Sequence, residues 1–307
     1  MKKSLIALAV LGFTGAAMAQ SSVTLYGVAD AGIARVQSID AAGNKTSKTG
    51  MSAAGTMNNG NSRLGVKGVE DLGGGLKAGF NFETGLSLED GSTAASGPGF
   101  WSRNANMWVG GNWGTFKMGR TLNLSFYGVA AWELTGTANY SVVANTYGYV
   151  GGGRNSSQFS YKTPDMGGLS AELGYIFKDD NAGAAKWDLN VVYANGPIAA
   201  GLSANKAKGQ KVGYSIGGKY NFGNFAVAAS YSDNHKVRRG FSIGGTATFG
   251  AASVTLDLTR DTKHPVKKYT NGLLEGKYAL SKRTFLYAAY LRLDGENNYG
   301  LGVRHNF

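Results

Sequence analysis

Apolar and polar residues alternate with a period of two along nearly the whole chain after residue 20, and no segment there has a helical period. Successive side chains of a β-strand point to opposite faces, so each alternating segment has one apolar and one polar face. The alternation is clearest in residues 76–83, 169–177, 187–193, 211–222, 241–249 and 253–259. This pattern predicts an all-β protein, either a soluble sandwich or a membrane barrel.

The connections between the segments favour the barrel. Short glycine-rich connections alternate with longer polar ones, and aromatic residues such as Tyr220, Phe222 and Phe249 cluster at segment ends. Outer-membrane barrels combine short periplasmic turns, long outer loops and aromatic girdles in this way. No run of about 18 apolar residues follows residue 20, so a closed barrel is the remaining way to cross a membrane.

Counting the segments predicts the size of the barrel. Sixteen can be distinguished in residues 20–307, which leaves about 18 residues for each strand and its connection, and a spanning strand takes about 9–11 of these. They begin near residues 23, 62, 76, 101, 115, 154, 169, 186, 199, 211, 225, 239, 253, 271, 284 and 298. An antiparallel barrel of about 16 strands has a water-filled lumen, whereas eight strands enclose only side chains.

One long connection stands apart from the others. Residues 121–153 lack a clear outward face but contain Trp132, Tyr140, Tyr147 and Tyr149. A connection of this length is usually functional or disordered, and its aromatic content argues against disorder. We therefore expect this third outer loop to fold into the lumen.

The first 19 residues have the three parts of a signal peptide. Lys2 and Lys3 precede a short apolar core, and residues 17–19 form an Ala-Met-Ala cleavage site. Cleavage before Gln20 would leave residues 20–307, and these are predicted to form a single barrel domain. The formal net charge of +12 is then better explained by an anionic solute or surface than by nucleic acid.

Several short motifs, in this order, resemble the trimeric porins of Neisseria, Bordetella, Comamonas and related Gram-negative bacteria. The most distinctive is Ser-Arg-Leu-Gly-Val-Lys-Gly-Val-Glu-Asp-Leu-Gly-Gly-Gly-Leu-Lys-Ala at residues 62–78, and others lie at 21–32, 103–120, 154–164, 278–288 and 302–307. The resemblance implies sixteen strands, a constriction loop, a homotrimer and passive diffusion of small hydrophilic solutes across the outer membrane. It also implies that the C-terminal Phe307 is a signal for barrel assembly.

The resemblance is greatest to the anion-selective members, and it implies a cluster of Arg63, Arg103 and Arg154 facing the constriction loop. A pore selects by size and by the charge of its lining, and low-dielectric walls strengthen the field of lumen charges. Strand alternation independently places Arg63, Lys67, Arg154 and Arg304 on the lumen face.

The remaining candidate residues fit the pattern less simply. Arg103 and Arg120 share strand faces with apolar residues, so either a bulge or a position above the lipid band is needed for them to take part in the site. Glu133 is the candidate acid on the constriction loop and is expected to position an arginine. Outer-loop lysines such as Lys267 and Lys268 are expected to be solvated or to contact lipopolysaccharide and other outer-membrane lipids.

The sequence therefore predicts an anion-preferring passive channel for small solutes in the outer membrane. It predicts no catalytic residues, cofactor, metal site or nucleic-acid partner, because the three histidines are scattered, cysteine is absent and no nucleophile motif occurs. Two other functions stay open at this level. One is a solute-specific channel for organic acids or phosphate, and the other is a plugged structural or adhesive barrel.

Overall fold

The computed structural model describes residues 22–93 and 99–307. The signal peptide predicted for residues 1–19 lies outside these residues. Seventeen strands follow one another: β1 Ser22–Ile39, β2 Lys45–Ser52, β3 Arg63–Gly73, β4 Leu76–Gly85, β5 Asn104–Gly111, β6 Gly114–Leu122, β7 Arg154–Lys162, β8 Leu169–Ile176, β9 Lys186–Asn195, β10 Ile198–Ala207, β11 Gly213–Asn221, β12 Phe225–Asn234, β13 Arg238–Phe249, β14 Ala252–Asp261, β15 Thr270–Ala279, β16 Thr284–Leu293 and β17 Glu296–Asn306.

These strands form one closed antiparallel barrel with sixteen positions. Each strand from β3 to β17 pairs with the next, and β1 closes the ring by pairing with β17. On its other side, β1 pairs with β3 through residues 22–28 and with β2 through residues 32–39. The strands β2 and β3 therefore share one position, interrupted by residues 53–62, and the predicted barrel of sixteen strands is confirmed.

The predicted strand starts lie within three residues of those in the structure. The one strand in the structure that the alternation pattern does not predict is β2. Its sequence, Lys-Thr-Ser-Lys-Thr-Gly-Met-Ser, has no apolar alternation, and nearly all of its residues are exposed. It is formed by pairing with the extended end of β1 and not by burial of an apolar face.

The two faces of the barrel wall differ as the alternation predicts. On β14, Leu256 and Leu258 are 53% and 41% exposed, whereas Thr255 and Asp257 beside them are buried. The outward face thus presents a continuous apolar surface of the kind that requires lipid. The polar face points inward.

Two short helices lie in the connection between β6 and β7, the third long connection in chain order. They are α1 (Leu124–Ala130) and α2 (Val142–Tyr147), and within the described residues neither is long and apolar enough to span a membrane. The side chain of Asn123 caps α1 by accepting a hydrogen bond from the Ser125 N–H, and that of Ser141 caps α2 by accepting one from the Ala144 N–H.

This connection packs against the polar face of the strands. The α1 helix contacts β8–β11, and α2 contacts β12–β16. Trp132 is 1% exposed and lies against Gly217 of β11, where a side chain would collide with its indole ring. The Tyr147 hydroxyl donates to the carbonyl oxygens of Phe241 and Arg260 at 2.9 and 3.0 Å. The segment is therefore fixed to the wall and shares one buried apolar core with it.

Candidate pore-lining site

A cavity of about 600 Å³ lies between the polar face of the wall and the connection that carries α1 and α2. Its strand side is formed by charged residues, namely Arg63, Glu83, Arg103, Arg154 and Arg304. The rest of its lining is uncharged and comes mainly from residues 54–56 and 59–61 between β2 and β3 and from the connection that carries α1 and α2, including residues 136–139 and 144–145. Within residues 22–93 and 99–307, Glu83 is the one carboxylate on this lining, so the cavity wall has a formal charge of +3.

Glu83 of β4 joins two of the arginines. Its Oε1 lies 2.7 Å from Arg103 Nε, and its Oε2 lies 3.6 Å from Arg63 Nε. The Tyr26 hydroxyl also donates to Oε2 at 3.0 Å, and the Asn104 side-chain amide donates to Oε1 at 3.3 Å. The carboxylate is 5% exposed, and a buried carboxylate requires such partners. Glu83 therefore holds the guanidinium groups of Arg63 and Arg103 against the wall.

Arg103 reaches the cavity by a route that strand alternation does not describe. It lies in a bend immediately before β5, and its backbone N–H donates to the Glu83 carbonyl oxygen at 3.0 Å. Because Arg103 precedes the strand, its side chain does not have to point outward as that of Met107 does. The family resemblance predicted Arg103 as a member of the arginine cluster, although strand alternation placed it on an apolar face.

Arg154 also lines the cavity, but not for the reason the sequence suggested. The β6–β7 pairing shifts register opposite residues 156–157, and Ser157 has a φ of 50°. This bulge breaks the alternation between Gln158 and Arg154. Arg154 reaches the cavity from the first position of β7, where its Nε donates to the Arg103 carbonyl oxygen at 2.9 Å.

Arg304 of β17 completes the cationic wall. Its Nη1 donates to the Asn59 side-chain oxygen at 2.8 Å, and the Asn59 amide donates to the Tyr140 hydroxyl at 2.8 Å. Burial raises the pKa of Tyr140, and the nearby Glu275 carboxylate raises it further, so the phenol stays neutral. Alternation placed Arg304 inward without indicating that it joins the arginine cluster.

Three residues of the predicted site, Lys67, Arg120 and Glu133, are not among the residues that line this cavity. Arg120 is outside the cavity lining, and its guanidinium donates to the Ser102 carbonyl oxygen at 2.6 Å and to the Ser156 hydroxyl at 2.7 Å. Lys67 lies on the same lumen-facing side of β3 as Gly65, two residues further along the strand. Its amine is 5.3 Å from the centroid of the Tyr26 ring. Arg120 thus lies beside the arginine cluster, close enough for its charge to act on Arg154, whereas Lys67 contacts Tyr26.

Glu133 is buried in its own loop. Its carboxylate accepts hydrogen bonds from the backbone N–H groups of Thr135 and Thr137 at 2.9 and 2.7 Å, and from the Thr135 hydroxyl at 2.7 Å. Within the described residues, no ion pair joins Glu133 to an arginine. The acid that contacts the arginines is Glu83, and Glu133 shapes the loop.

Comparison with known proteins identifies the family. The chain matches the family model of Gram-negative porins over residues 4–298. This chain belongs to the Gram-negative porin family. It is 35% identical to outer membrane porin protein 32 of Delftia acidovorans, an alignment that covers 99% of this chain and 93% of the relative.

Solved porin structures share the fold of this porin. An anion-selective porin from Comamonas acidovorans matches with a TM-score of 0.76 and 27% identity, over 94% of this chain and all of that chain. The trimer form of OmpT from Vibrio cholerae matches with a TM-score of 0.67 and 18% identity, over 94% and 99% of the two chains. The porin is therefore a channel-forming barrel of the Gram-negative outer membrane.

The C-terminus of this porin takes part in closing the barrel. Phe307 and Gly27 exchange two backbone hydrogen bonds, with N···O distances of 3.0 and 3.1 Å. The Phe307 ring lies where a side chain at position 27 would have to be. Glycine at position 27 is thus what lets the terminal ring lie against β1.

The described part of the porin offers no metal site. Among residues 22–93 and 99–307, no three His, Asp or Glu side chains lie together in an arrangement that could hold a metal ion.

Proposed function

We propose that this porin is a passive diffusion channel that prefers anions, and that the segment carrying α1 and α2 constricts its lumen. The observation that supports the proposal best is the composition of the arginine cavity, in which four guanidinium groups and one carboxylate face uncharged residues of the loop. A small anion passing between these walls is attracted to one side and repelled by neither. The anion-selective porin from Comamonas acidovorans supports the same reading.

The strength of the preference follows from elementary electrostatics. Two unit charges 4 Å apart interact by about 1 kcal/mol in bulk water and by about 4 kcal/mol at an effective dielectric constant of about 20. The screening length falls from about 10 Å at 0.1 M salt to about 3 Å at 1 M. We therefore expect a clear anion preference at 0.1 M salt and a much smaller one at 1 M.

The remaining partners and features belong to the same proposal. We infer a homotrimer, as for the trimer form of OmpT, and contact with outer-membrane lipids and lipopolysaccharide. Residues 1–19 act as a cleaved signal peptide, and Phe307 acts as the assembly signal of the single barrel domain. We infer no enzymatic role, and the porin homologues support this.

Neutralising Glu83 tests the charge balance of the cavity. Glu83→Gln keeps an oxygen acceptor for the Arg103 side chain but raises the formal charge of the lining by one unit. We expect a larger anion-to-cation permeability ratio at 0.1 M salt, measured from the zero-current potential across a planar bilayer with a salt gradient. A smaller ratio would contradict the proposal that net charge at this cavity sets selectivity.

Transport of uncharged solutes tests the open channel itself. We expect liposomes containing the purified porin to swell in isotonic solutions of small neutral sugars and amino acids, and the ion current to increase with anion concentration without saturation. Impermeable liposomes would favour a plugged structural barrel. Saturable block of the current by phosphate or an organic acid would favour a solute-specific channel.

A further inference from the structure

Residues 133–139 of the segment that carries α1 and α2, here called the loop tip, are held from two sides. On one side the Asn139 side-chain amide donates to the Asn61 side-chain oxygen at 2.6 Å. On the other side the amine of Lys277, on the polar face of β15, donates to the Thr135 carbonyl oxygen at 2.8 Å. The loop tip is therefore attached to the connection between β2 and β3 on one side and to the wall at β15 on the other.

The loop tip separates Lys277 from the arginine cavity. Residues 136–139 of the tip line the cavity, whereas Lys277 is not part of its lining. The lysine contacts the tip at Thr135, immediately before these lining residues. Any effect of Lys277 on the width of the cavity therefore passes through the position of the loop tip.

Three buried carboxylates meet where the loop tip packs against the wall. Glu133 of the tip, Asp257 of β14 and Glu275 of β15 are each no more than 3% exposed. Glu133 lies close enough to both wall carboxylates for their charges to interact. Tip and wall are in direct contact here, since the Leu134 side chain lies against Gly244 of β13 beside the Asp257 carboxylate. Carboxylates this close and this buried repel one another when they are ionised.

Lys277 supplies the counter-charge of this carboxylate cluster. Its amine lies 3.0 Å from Glu275 Oε2 and 5.8 Å from the ring centroid of Phe285. Among the residues that the structure describes, no other basic side chain forms an ion pair with Glu133, Asp257 or Glu275. Breaking a buried ion pair by removing one partner is strongly unfavourable, because the other charge is left uncompensated. One lysine thus both neutralises the cluster and holds the tip by a hydrogen bond.

We propose that Lys277 is a positioning residue of the pore, whose amine holds the loop tip against β15 and thereby sets the distance between the tip and the arginines. The inference rests on the proposed function, because it names what keeps the proposed constriction in place. Without the amine, the tip loses its hydrogen bond to the wall and is repelled by the wall carboxylates. Since Asn139 still holds the tip on the opposite side, the tip moves toward the cavity and narrows it.

Single-channel conductance in planar bilayers at 1 M potassium chloride tests this role, because a screening length of about 3 Å suppresses the direct effect of one lost lumen charge. We expect Lys277→Met to lower the conductance by about half or more, since pore width limits ion flow. Adding Glu275→Gln removes the carboxylate that Lys277 neutralises. Lys277→Met/Glu275→Gln is therefore expected to recover most of the lost conductance.

Lys219→Met is the matched control for the loss of a lumen lysine. Lys219 lies on the same inward face of β11 as Gly217, and it forms no ion pair within the described part of the chain. We expect its conductance to equal that of the unaltered porin. Unchanged conductance in Lys277→Met, or an equal loss in Lys219→Met, would overturn the inference.

The double variant separates the charge role from simple packing. A double variant no more conductive than Lys277→Met would overturn the inference, since a purely steric role of the lysine does not depend on Glu275. If Lys277→Met yields no folded channels, their recovery in the double variant supports the charge role, and no recovery overturns it. Failure of the proposed constriction itself looks different, because Gly201→Val, which would displace α1, would then also leave the conductance unchanged.

Discussion

Arg63→Ser combined with Arg154→Ser is expected to lower the anion-to-cation permeability ratio about fivefold or more at 0.1 M salt, because about 1 kcal/mol of lost attraction changes an ion population about fivefold. Both side chains line the arginine cavity, and their removal lowers its formal charge from +3 to +1. The zero-current potential across a bilayer with a salt gradient measures the ratio directly.

The matched control for this variant is Arg35→Ser combined with Arg292→Ser. These two arginines are exposed on the outward face, so the total charge change is the same while the cavity lining is intact. We expect this control to keep the selectivity of the unaltered porin. Equal losses in both double variants would show that total charge, and not the cavity, determines the ion preference.

Gly201→Val is expected to lower the single-channel conductance by about half or more, since pore width limits ion flow. Gly201 faces inward on β10, and a side chain there would overlap the backbone carbonyl of Gly128 in α1. The rigid strand pairing on both sides of β10 leaves α1 as the part that moves away from the wall. Single-channel recording in planar bilayers measures the effect.

Gly276→Val is the corresponding control on the other face of the wall. Its side chain would point outward, where no atom lies within 4 Å of the new Cβ. We expect its conductance to equal that of the unaltered porin. If Gly201→Val also left the conductance unchanged, the proposal that the α1 segment narrows the lumen would be wrong.

The barrel could be predicted from sequence because its determinant is local. A strand with lipid on one side and water on the other must alternate, so segments such as 253–259 reveal both their extent and their outward face. The strand β2 could not be found in this way because neither of its faces is apolar. It depends on backbone pairing with residues 32–39 of β1, and that pairing leaves no alternation in the sequence of β2.

The candidate site depends on features that the two-residue alternation of strand side chains does not describe. Arg103 lies in a bend before its strand, and Arg154 lies beyond a bulge, so their directions follow from chain geometry and not from alternation. Glu83 was visible as a polar residue alternating with Phe82, but its role rests on contact with Arg103, twenty residues away. The family resemblance supplied the arginines, whereas it gave no indication of the carboxylate that holds them.

The sign of the zero-current potential at low salt tests the central claim most directly. The purified porin would be inserted into a neutral planar bilayer between 0.1 M and 0.01 M potassium chloride, where the screening length is about 10–30 Å. A cationic lumen predicts that chloride carries most of the current, so the dilute side becomes negative relative to the concentrated side. A dilute side that becomes positive would mean that potassium is preferred, and it would contradict the account.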